Sequence, residues 1–200
     1  PEGSAAGTPV FRANAADVDV GDTITYSLVS GNTNGAFAID ASTGQVTVAG
    51  DIDALITPSF ALTVRATDAG GLFAEQLVTL TIAQVNEAPV LANLDDTPTF
   101  VEGGSAVVLD ANVTVSDPEL SAADDFSGAT LTLARNGGAN ADDALAFDGT
   151  NVTVSGADVL VGGTQVGTYV FTGGELVVTF GANATQARVD TLLQNIVYAN

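Results

Sequence analysis

The chain has 200 residues, of which 24 are Asp or Glu and four are Arg, and its formal net charge is −20. This charge excludes electrostatic binding to nucleic acid or to an anionic membrane surface, because both require basic side chains facing phosphate. The absence of His and Cys excludes Ser-His-Asp and cysteine-based catalysis, thiolate zinc sites and disulfides.

Short segments in which apolar and polar residues alternate fill the first half of the chain. Gly, Asn, Asp and Ser separate them, and helical periodicity is nearly absent. Alternation at this spacing predicts antiparallel strands packed as a β-sandwich. The predicted strands are 23–29, 36–40, 45–48, 60–66 and 77–82.

The alternation stops at residues 85–89, which end in Ala88-Pro89. Proline lacks an N–H and keeps the preceding residue extended, so this segment is predicted to be a short, stiff linker. We therefore predict an all-β protein of two tandem antiparallel β-sandwich domains, residues 1–89 and 90–200. The predicted strands of the second domain are 106–109, 113–115, 129–133, 152–154, 165–171, 176–180 and 196–198.

One short helix is predicted near residues 185–194 of the second domain. Thr185 is a suitable N-cap, and the apolar residues that follow recur at helical spacing. These are Val189, Leu192, Leu193 and Ile196. No apolar run approaches the roughly 18 residues of a membrane-spanning helix, so we expect no membrane insertion.

Acidic residues lie at predicted strand ends and in loops. Asp17 and Asp19 alternate with apolar residues, so an extended segment places both carboxylates on one side. Such a pair repels unless a cation neutralises it or water solvates it. Carboxylates are ligands that Ca²⁺ prefers, and a solvated acidic turn is the alternative. Similar positions are Asp51 and Asp53, Asp68, Asn86 and Glu87, Asp117 and Glu119, with Glu2 and Glu102 opening the two halves.

The first half, roughly residues 1–89, resembles a cadherin repeat of the kind found in very large bacterial surface proteins. The resemblance covers almost the whole of this half and implies Ca²⁺ binding between successive repeats. Its motifs are Pro-Glu at 1–2, Ala-Asp-Val-Asp at 16–19, Gly-Asp at 21–22, and the segments 24–28, 37–46, 62–68 and 85–89.

The resemblance implies two sets of Ca²⁺ ligands. The set at the linker consists of Glu2, Asp53, Asn86 through its carbonyl, Glu87, Asp117 and Glu119. The set at the opposite end, shared with a preceding repeat, consists of Asp17, Asp19 and Asp68. Glu102 is a further candidate ligand at the start of the second half.

Two positions depart from the family pattern. Leu55 stands where the family has a Glu two residues after the position of Asp53, and Gln84 stands where an Asp is common. Fewer than the usual three ions are therefore expected at the linker.

The second half, roughly residues 97–200, resembles another cadherin-like or proteoglycan-type repeat of bacterial adhesins. The matching segments are 100–104, 107–110, 113–117 and 187–200. One or two further strands normally follow the last tyrosine of such repeats. We therefore expect a second sandwich that is either cut short, with an unpaired edge beside residues 196–198, or completed by strands outside these 200 residues.

The resemblance implies a Ca²⁺-stiffened extracellular repeat segment of a large bacterial RTX-type adhesin, exported by type I secretion and serving adhesion and biofilm formation. Its expected partners are neighbouring repeats of the same chain, with other copies or surface glycans as further candidates. One alternative is a subunit of an extracellular filament completed by strands from a neighbouring copy. The other alternative is a carbohydrate-binding or homophilic module.

Neither sugar binding nor catalysis has a strong sequence signal. Sugar sites usually show exposed aromatic residues, and the chain has no Trp. Most of its aromatic residues alternate with polar residues and are predicted to be core, whereas Tyr169 is a candidate for exposure. The aromatic residues predicted to be core are Tyr26, Phe37, Phe60, Phe171 and Phe180.

The acidic pairs 124–125 and 142–143 do not suit glycosidase chemistry. Each pair consists of adjacent residues, which point to opposite faces of a strand. We expect no enzyme activity.

Overall fold

The structure, a computed structural model, describes residues 1–19 and 21–199. Val20, in the first acidic motif, and Asn200, at the end of the second resemblance, lie outside the described residues. The chain divides into two compact units, Pro1–Asn86 and Glu87–Asn200. Both consist mainly of β-strands with few helices, which confirms the predicted all-β fold class.

The first unit contains two three-stranded antiparallel sheets. One has the strand order β1-β4-β3 and the other has the order β2-β5-β6. A single turn of 3₁₀ helix spans Thr33–Gly35. The strands are β1 (Pro9–Arg12), β2 (Thr25–Ser30), β3 (Phe37–Ile39), β4 (Gln45–Val48), β5 (Ser59–Thr67) and β6 (Phe73–Thr81).

Both sheets of the first unit contribute to one hydrophobic core. Phe37 of β3 and Phe60 of β5 pack edge to face with ring centroids 5.0 Å apart. Val46 of β4 and Leu62 of β5 are fully buried. Because alternate residues of each strand face this shared core, the unit is a β-sandwich.

The second unit contains a five-stranded sheet with the order β10-β15-β14-β13-β12, a three-stranded sheet β11-β16-β8 and a pair β7-β9. All of these pairings are antiparallel. This unit also contains the helices α1 (Pro118–Ala123) and α2 (Gln186–Leu193). The strands are β7 (Val90–Ala92), β8 (Val107–Val108), β9 (Thr114–Ser116), β10 (Thr130–Leu133), β11 (Ala144–Phe147), β12 (Val152–Ser155), β13 (Asp158–Val161), β14 (Thr164–Thr172), β15 (Glu175–Phe180) and β16 (Ile196–Ala199).

The core of the second unit combines the five-stranded sheet with α2. Leu176 and Val178 of β15 are fully buried, as is Leu192 of α2. The predicted helix is present, and its apolar residues lie in the core. Thr185 occupies the N-cap position, but its side chain makes no capping hydrogen bond. In the described part of the chain, neither helix has the length and apolar character that crossing a membrane requires.

The expected open edge beside residues 196–198 is not found. The strand β16 lies between β11 and β8, and it pairs with all four residues of β11 and with Val107 and Val108 of β8. The expected open edge was wrong because β11 was not predicted as a strand. β11 lies about 50 residues before β16 in the sequence, and the two strands meet only in the folded chain. β1, β7, β13 and α1 were also not predicted.

The aromatic residues mostly take the predicted positions. Phe37, Phe60 and Phe180 are buried. Phe171 is 37% exposed, so its predicted core position is wrong; it lies one residue from the end of β14, beside the turn into β15. Tyr169 is half-buried and packs edge to face on Phe147 at 5.7 Å between ring centroids.

Candidate metal centre

Glu2 is a buried carboxylate in the first unit, with 8% of its surface exposed. Its Oε2 accepts a hydrogen bond from the backbone N–H of Ala54 at 2.7 Å, and its Oε1 accepts one from the N–H of Val85. Its own N–H donates to the carbonyl of Ala83 at 3.0 Å. These bonds connect the start of the unit to the segment after β4 and to the end of the unit.

Asp53 lies in the segment that Glu2 contacts, and it is exposed. Its Oδ1 accepts hydrogen bonds from the N–H groups of Leu55 at 2.8 Å and Ile56 at 3.2 Å. This arrangement is an Asx turn. Leu55 is 42% exposed, so the apolar residue at this family position does not contribute to the core.

Asp17, Asp19 and Asp68 line one cleft of about 360 Å³ in the first unit. Oδ1 of Asp17 accepts a hydrogen bond from the N–H of Asp19, and Oδ1 of Asp68 accepts one from the N–H of Leu72. The structure brings these three predicted ligands to the same cleft, but it does not place an oxygen of each within 4.8 Å of the other two.

Asp117 begins helix α1 in the second unit and is 4% exposed. It is extended, its Oδ1 accepts a hydrogen bond from the N–H of Leu120 at 3.0 Å, and Pro118 follows it in the first turn. A carboxylate N-cap followed by proline is the expected start of a helix. The cap fixes the position of Glu119, which lies in the first turn.

Glu87 and Glu119 meet in the second unit. The backbone N–H of Glu87 donates to Oε1 of Glu119 at 3.2 Å, and a carboxylate oxygen of each residue lies within 4.8 Å of one of the other. Oε2 of Glu119 is buried and accepts no hydrogen bond from the described residues. A buried carboxylate oxygen without a donor is costly unless a cation or an ordered water contacts it.

No arginine forms an ion pair with Glu2 or Glu119 in the part of the chain that the structure describes. The ion pairs found among the described residues are Arg65–Glu75 at 2.6 Å and Arg135–Asp143 at 3.5 Å. Neither involves Glu2 or Glu119. A chain with 24 acidic and four basic residues has few basic side chains to neutralise its carboxylates.

The remaining predicted ligands are exposed. Glu102 lies in a turn before β8 and is outside the groups of converging acidic oxygens found in the described residues. Asn86 is exposed and is the last residue of the first unit.

Sequence reasoning did not identify a second acidic group, Asp95, Asp96 and Asp110, whose oxygens also approach within 4.8 Å. Asp110 is 2% exposed. Its Oδ2 accepts hydrogen bonds from the N–H groups of Asp95 and Asp96, and its Oδ1 accepts from those of Asn112 and Val113. Both oxygens are therefore occupied by backbone donors, and the group is a clamp that joins two chain segments.

The environment of Asp110 determines its charge state. Burial raises the pKa of its carboxyl, but the four backbone N–H groups outweigh burial and the net effect is a lowered pKa. The charged form is favoured by the same donors that occupy both oxygens. The sequence carries one local signal of this arrangement. Asp110 lies two residues before Asn112 and three before Val113, whose N–H groups donate to its Oδ1. This spacing is typical of an Asx turn.

The donors at Glu87 and Glu119 suit a hard divalent cation. Ca²⁺ binds carboxylate and carbonyl oxygens with flexible geometry, whereas zinc and other transition metals favour nitrogen or sulfur ligands. The buried, unpartnered Oε2 of Glu119 is the structural observation that fits this cation.

Residues 1–83 match the family model of the Cadherin domain. The predicted resemblance of the first half to a cadherin repeat is confirmed over these residues. Human Protocadherin Fat 4 is 34% identical over 130 residues, which cover 63% of this chain and 2% of that protein. The protocadherin-like wing polarity protein stan of Drosophila melanogaster is 38% identical over 90 residues, which cover 44% of this chain and 2% of that protein.

Solved structures of cadherin repeats also align with the chain. The crystal structure of the protocadherin GammaB4 extracellular domain aligns over 91% of this chain and 25% of its own, with 19% identity and a TM-score of 0.46. The matched curated relatives above are animal proteins, and this chain spans only 2% of their length.

Proposed function

We propose that this chain is a Ca²⁺-stiffened extracellular repeat segment of a large adhesion protein. The observation that carries the proposal is Oε2 of Glu119, which is buried, lacks a hydrogen-bond donor among the described residues and belongs to a carboxylate beside that of Glu87. The cadherin domain in residues 1–83 supports it independently.

The residues that would hold Ca²⁺ at the linker are those implied by the family resemblance. When bound, the ion supplies positive charge that links carboxylates which otherwise repel. The departures at Leu55 and Gln84 remove two acidic ligands, so we propose fewer than three ions here. The proposed ligands are Glu2, Asp53, the carbonyl of Asn86, Glu87, Asp117 and Glu119, with Asp17, Asp19 and Asp68 at the other end of the first repeat and Glu102 as an additional candidate.

The chain's own hydrogen bonds position these oxygens. The N–H groups of Ala54 and Val85 fix the carboxylate of Glu2. Asp117 uses Oδ1 to cap α1, which fixes Glu119 in the first turn. A cation bound here would offset the repulsion between the carboxylates that these contacts bring together.

The wider setting is part of the same proposal. We propose a boundary between repeats in the linker at residues 85–89, neighbouring repeats as the main partners, and a role in extension and adhesion outside the cell without catalysis. The bacterial RTX-type adhesin, with type I secretion and biofilm formation, is supported by the motif resemblance of both halves. Homophilic or glycan binding and filament formation stay as alternatives.

Thermal unfolding in millimolar Ca²⁺ and in chelator tests the proposal. A cation that binds only the folded state raises the melting temperature by mass action, and extracellular Ca²⁺ modules bind at roughly 10⁻⁴–10⁻³ M. We expect a shift of several degrees in the wild type. Replacing Glu87 and Asp117 by Asn should abolish it, whereas Asp142→Asn, at an exposed loop position, should keep it. An equal melting temperature with and without Ca²⁺ would overturn the proposal.

A further inference from the structure

Asn136 and Gly137 occupy the two central positions of a tight turn in the second unit. The N–H of Gly138 donates to the carbonyl of Arg135 at 3.1 Å and closes this turn. Gly137 has a φ of +95°, which a type II turn requires of its third residue and which glycine adopts without strain. The fold therefore presents an Asn-Gly pair in an exposed loop between β10 and β11.

Neither member of this pair is held in place by a hydrogen bond. Among the described residues, the side chain of Asn136 has no hydrogen-bond partner, and neither has the N–H of Gly137. No described atom outside the adjoining residues lies within 4 Å of the place that a Cβ of Gly137 would take. The carboxamide of Asn136 can therefore approach the backbone nitrogen of Gly137 without breaking a bond or meeting a neighbour.

A second Asn-Gly pair, Asn34–Gly35, provides an internal comparison. Here the N–H of Gly35 donates to the carbonyl of Asn32 at 3.2 Å. The nitrogen must give up this hydrogen bond before it can attack the side chain of Asn34. The same dipeptide is thus protected in the first unit and unprotected in the second.

The Asp-Gly pair at 148–149 is the third place where such an attack could start, and its carboxylate is held. It accepts hydrogen bonds from the N–H groups of Asn151 at 3.0 Å and Val152 at 2.9 Å. Burial raises the pKa of Asp148, but these N–H groups outweigh burial and the net effect is a lowered pKa. A charged, hydrogen-bonded carboxylate is a poor electrophile, so we expect this pair to be inert.

We propose that Asn136 is a site of spontaneous deamidation in the folded chain, with water as the co-reactant. The backbone nitrogen of Gly137 attacks Cγ of Asn136. The N–Cγ bond forms, the Cγ–Nδ2 bond breaks, and ammonia leaves with the proton that the backbone nitrogen gives up. Water then opens the cyclic imide at either carbonyl, which leaves an aspartyl or an isoaspartyl residue at position 136. Nothing is oxidised or reduced.

Either product places a new carboxylate beside Arg135. Nε of Arg135 lies 3.5 Å from Oδ2 of Asp143, whose side chain is 2% exposed. Oδ1 of Asp143 accepts a hydrogen bond from the hydroxyl of Tyr198 in β16 at 2.8 Å. The new charge competes for the guanidinium, and an isoaspartyl linkage also lengthens the backbone of the turn by a methylene group. Deamidation should therefore loosen an ion pair to a buried carboxylate, which is destabilising.

The test incubates the full chain in chelator at mildly alkaline pH, with and without urea, and follows its chymotryptic peptides by mass spectrometry. Cleavage after Leu and Phe puts the two Asn-Gly pairs in peptides 29–37 and 134–145. In the native chain we expect position 136 to deamidate about tenfold faster than position 34, the factor in rate that one ordinary hydrogen bond supplies. In urea the two rates should converge, because Gly follows Asn in both.

Asn136→Gln is the control variant, because a Gln side chain must close a larger ring, which forms more slowly. On native isoelectric focusing the wild type should acquire one more negative charge with time, while the variant should not. The aged wild type should then melt below the fresh protein in chelator, and the aged variant should not change. Native deamidation at position 136 that is absent or no faster than at position 34 would overturn the proposed site. An unchanged melting temperature of the deamidated chain would overturn its proposed effect on the ion pair.

Discussion

The backbone N–H of Glu87 donates to Oε1 of Glu119 at 3.2 Å, and carboxylate oxygens of these two residues lie within 4.8 Å of each other. The hydrogen bond holds one carboxylate beside the other. Two negative charges at this separation repel. A cation bound at the proposed site would offset this repulsion.

The first prediction concerns Glu119→Gln. We expect this variant to bind Ca²⁺ at least about tenfold more weakly by calorimetric titration, because it loses a charged oxygen ligand. In chelator the same variant should melt above the wild type, because the repulsion with Glu87 is gone. Asp142→Asn removes one charge in the same unit and should change neither quantity. A lower melting temperature of Glu119→Gln in chelator would contradict the electrostatic account.

The second prediction concerns acid. The hydroxyl of Ser42, followed by the backbone N–H of Thr43, lowers the pKa of Asp40 from 3.8 to about 2. A folded-state pKa below the unfolded value adds stability above the unfolded pKa, and this stability is lost as pH falls through the folded pKa. Urea unfolding should show Asp40→Asn less stable than wild type at neutral pH, with the difference disappearing between pH 3.8 and about 2. A difference that persists below that range would be inconsistent with this linkage.

The third prediction concerns the core of the first unit. Leu62 is fully buried in β5, whereas Leu55 is 42% exposed. In chelator, Leu62→Ala should lower the free energy of unfolding of this unit by about 2–5 kcal/mol, from lost burial and the cavity left behind. Leu55→Ala should change it by less than about 0.5 kcal/mol. Similar values for the two variants in urea titrations would refute the assignment of the core.

The fourth prediction concerns Gly31, where β2 approaches β5. Its φ is +78°, and a Cβ there would lie 1.8 Å from the carbonyl oxygen of Ala61. Gly35 also has a positive φ, of +67°, but has open space around it. Gly35→Ala should cost only the backbone term of about 1–2 kcal/mol, while Gly31→Ala should cost more because the β2–β5 pair must separate. Equal losses in chemical denaturation would show that the close approach is unimportant.

Local alternation was enough to predict the longer strands. Residues 60–66 were predicted and β5 spans Ser59–Thr67; residues 45–48 were predicted and β4 spans Gln45–Val48. The helix α2 followed from apolar residues at helical spacing, because its buried face is continuous. β5 and α2 are long enough for their pattern to exceed chance, whereas β4 has only four residues, which alternate between half-buried and buried positions.

Short elements and long-range contacts were not predictable in this way. The helix α1 has six residues, too few for a periodic pattern. The strand β11 was missed, and with it the pairing that covers β16 on one side. The clamp at Asp110 depends on N–H groups of Asp95 and Asp96, which are brought to it by the fold and have no mark in the local sequence.

The sequence motifs indicated which acidic residues to consider as ligands but not how these residues are arranged. The motifs indicated Glu87, Asp117 and Glu119, and the structure adds that Asp117 caps a helix and that Oε2 of Glu119 is buried. Neither fact is available without α1. The exposed position of Glu102 likewise depends on the turn that precedes β8.

The most direct measurement is an electron-density map of the chain crystallised in millimolar CaCl₂, with anomalous differences recorded to identify the metal. The account predicts a Ca²⁺ ion in contact with the carboxylates of Glu87 and Glu119, including the buried Oε2 of Glu119. A well-resolved map showing only water against that oxygen would contradict it.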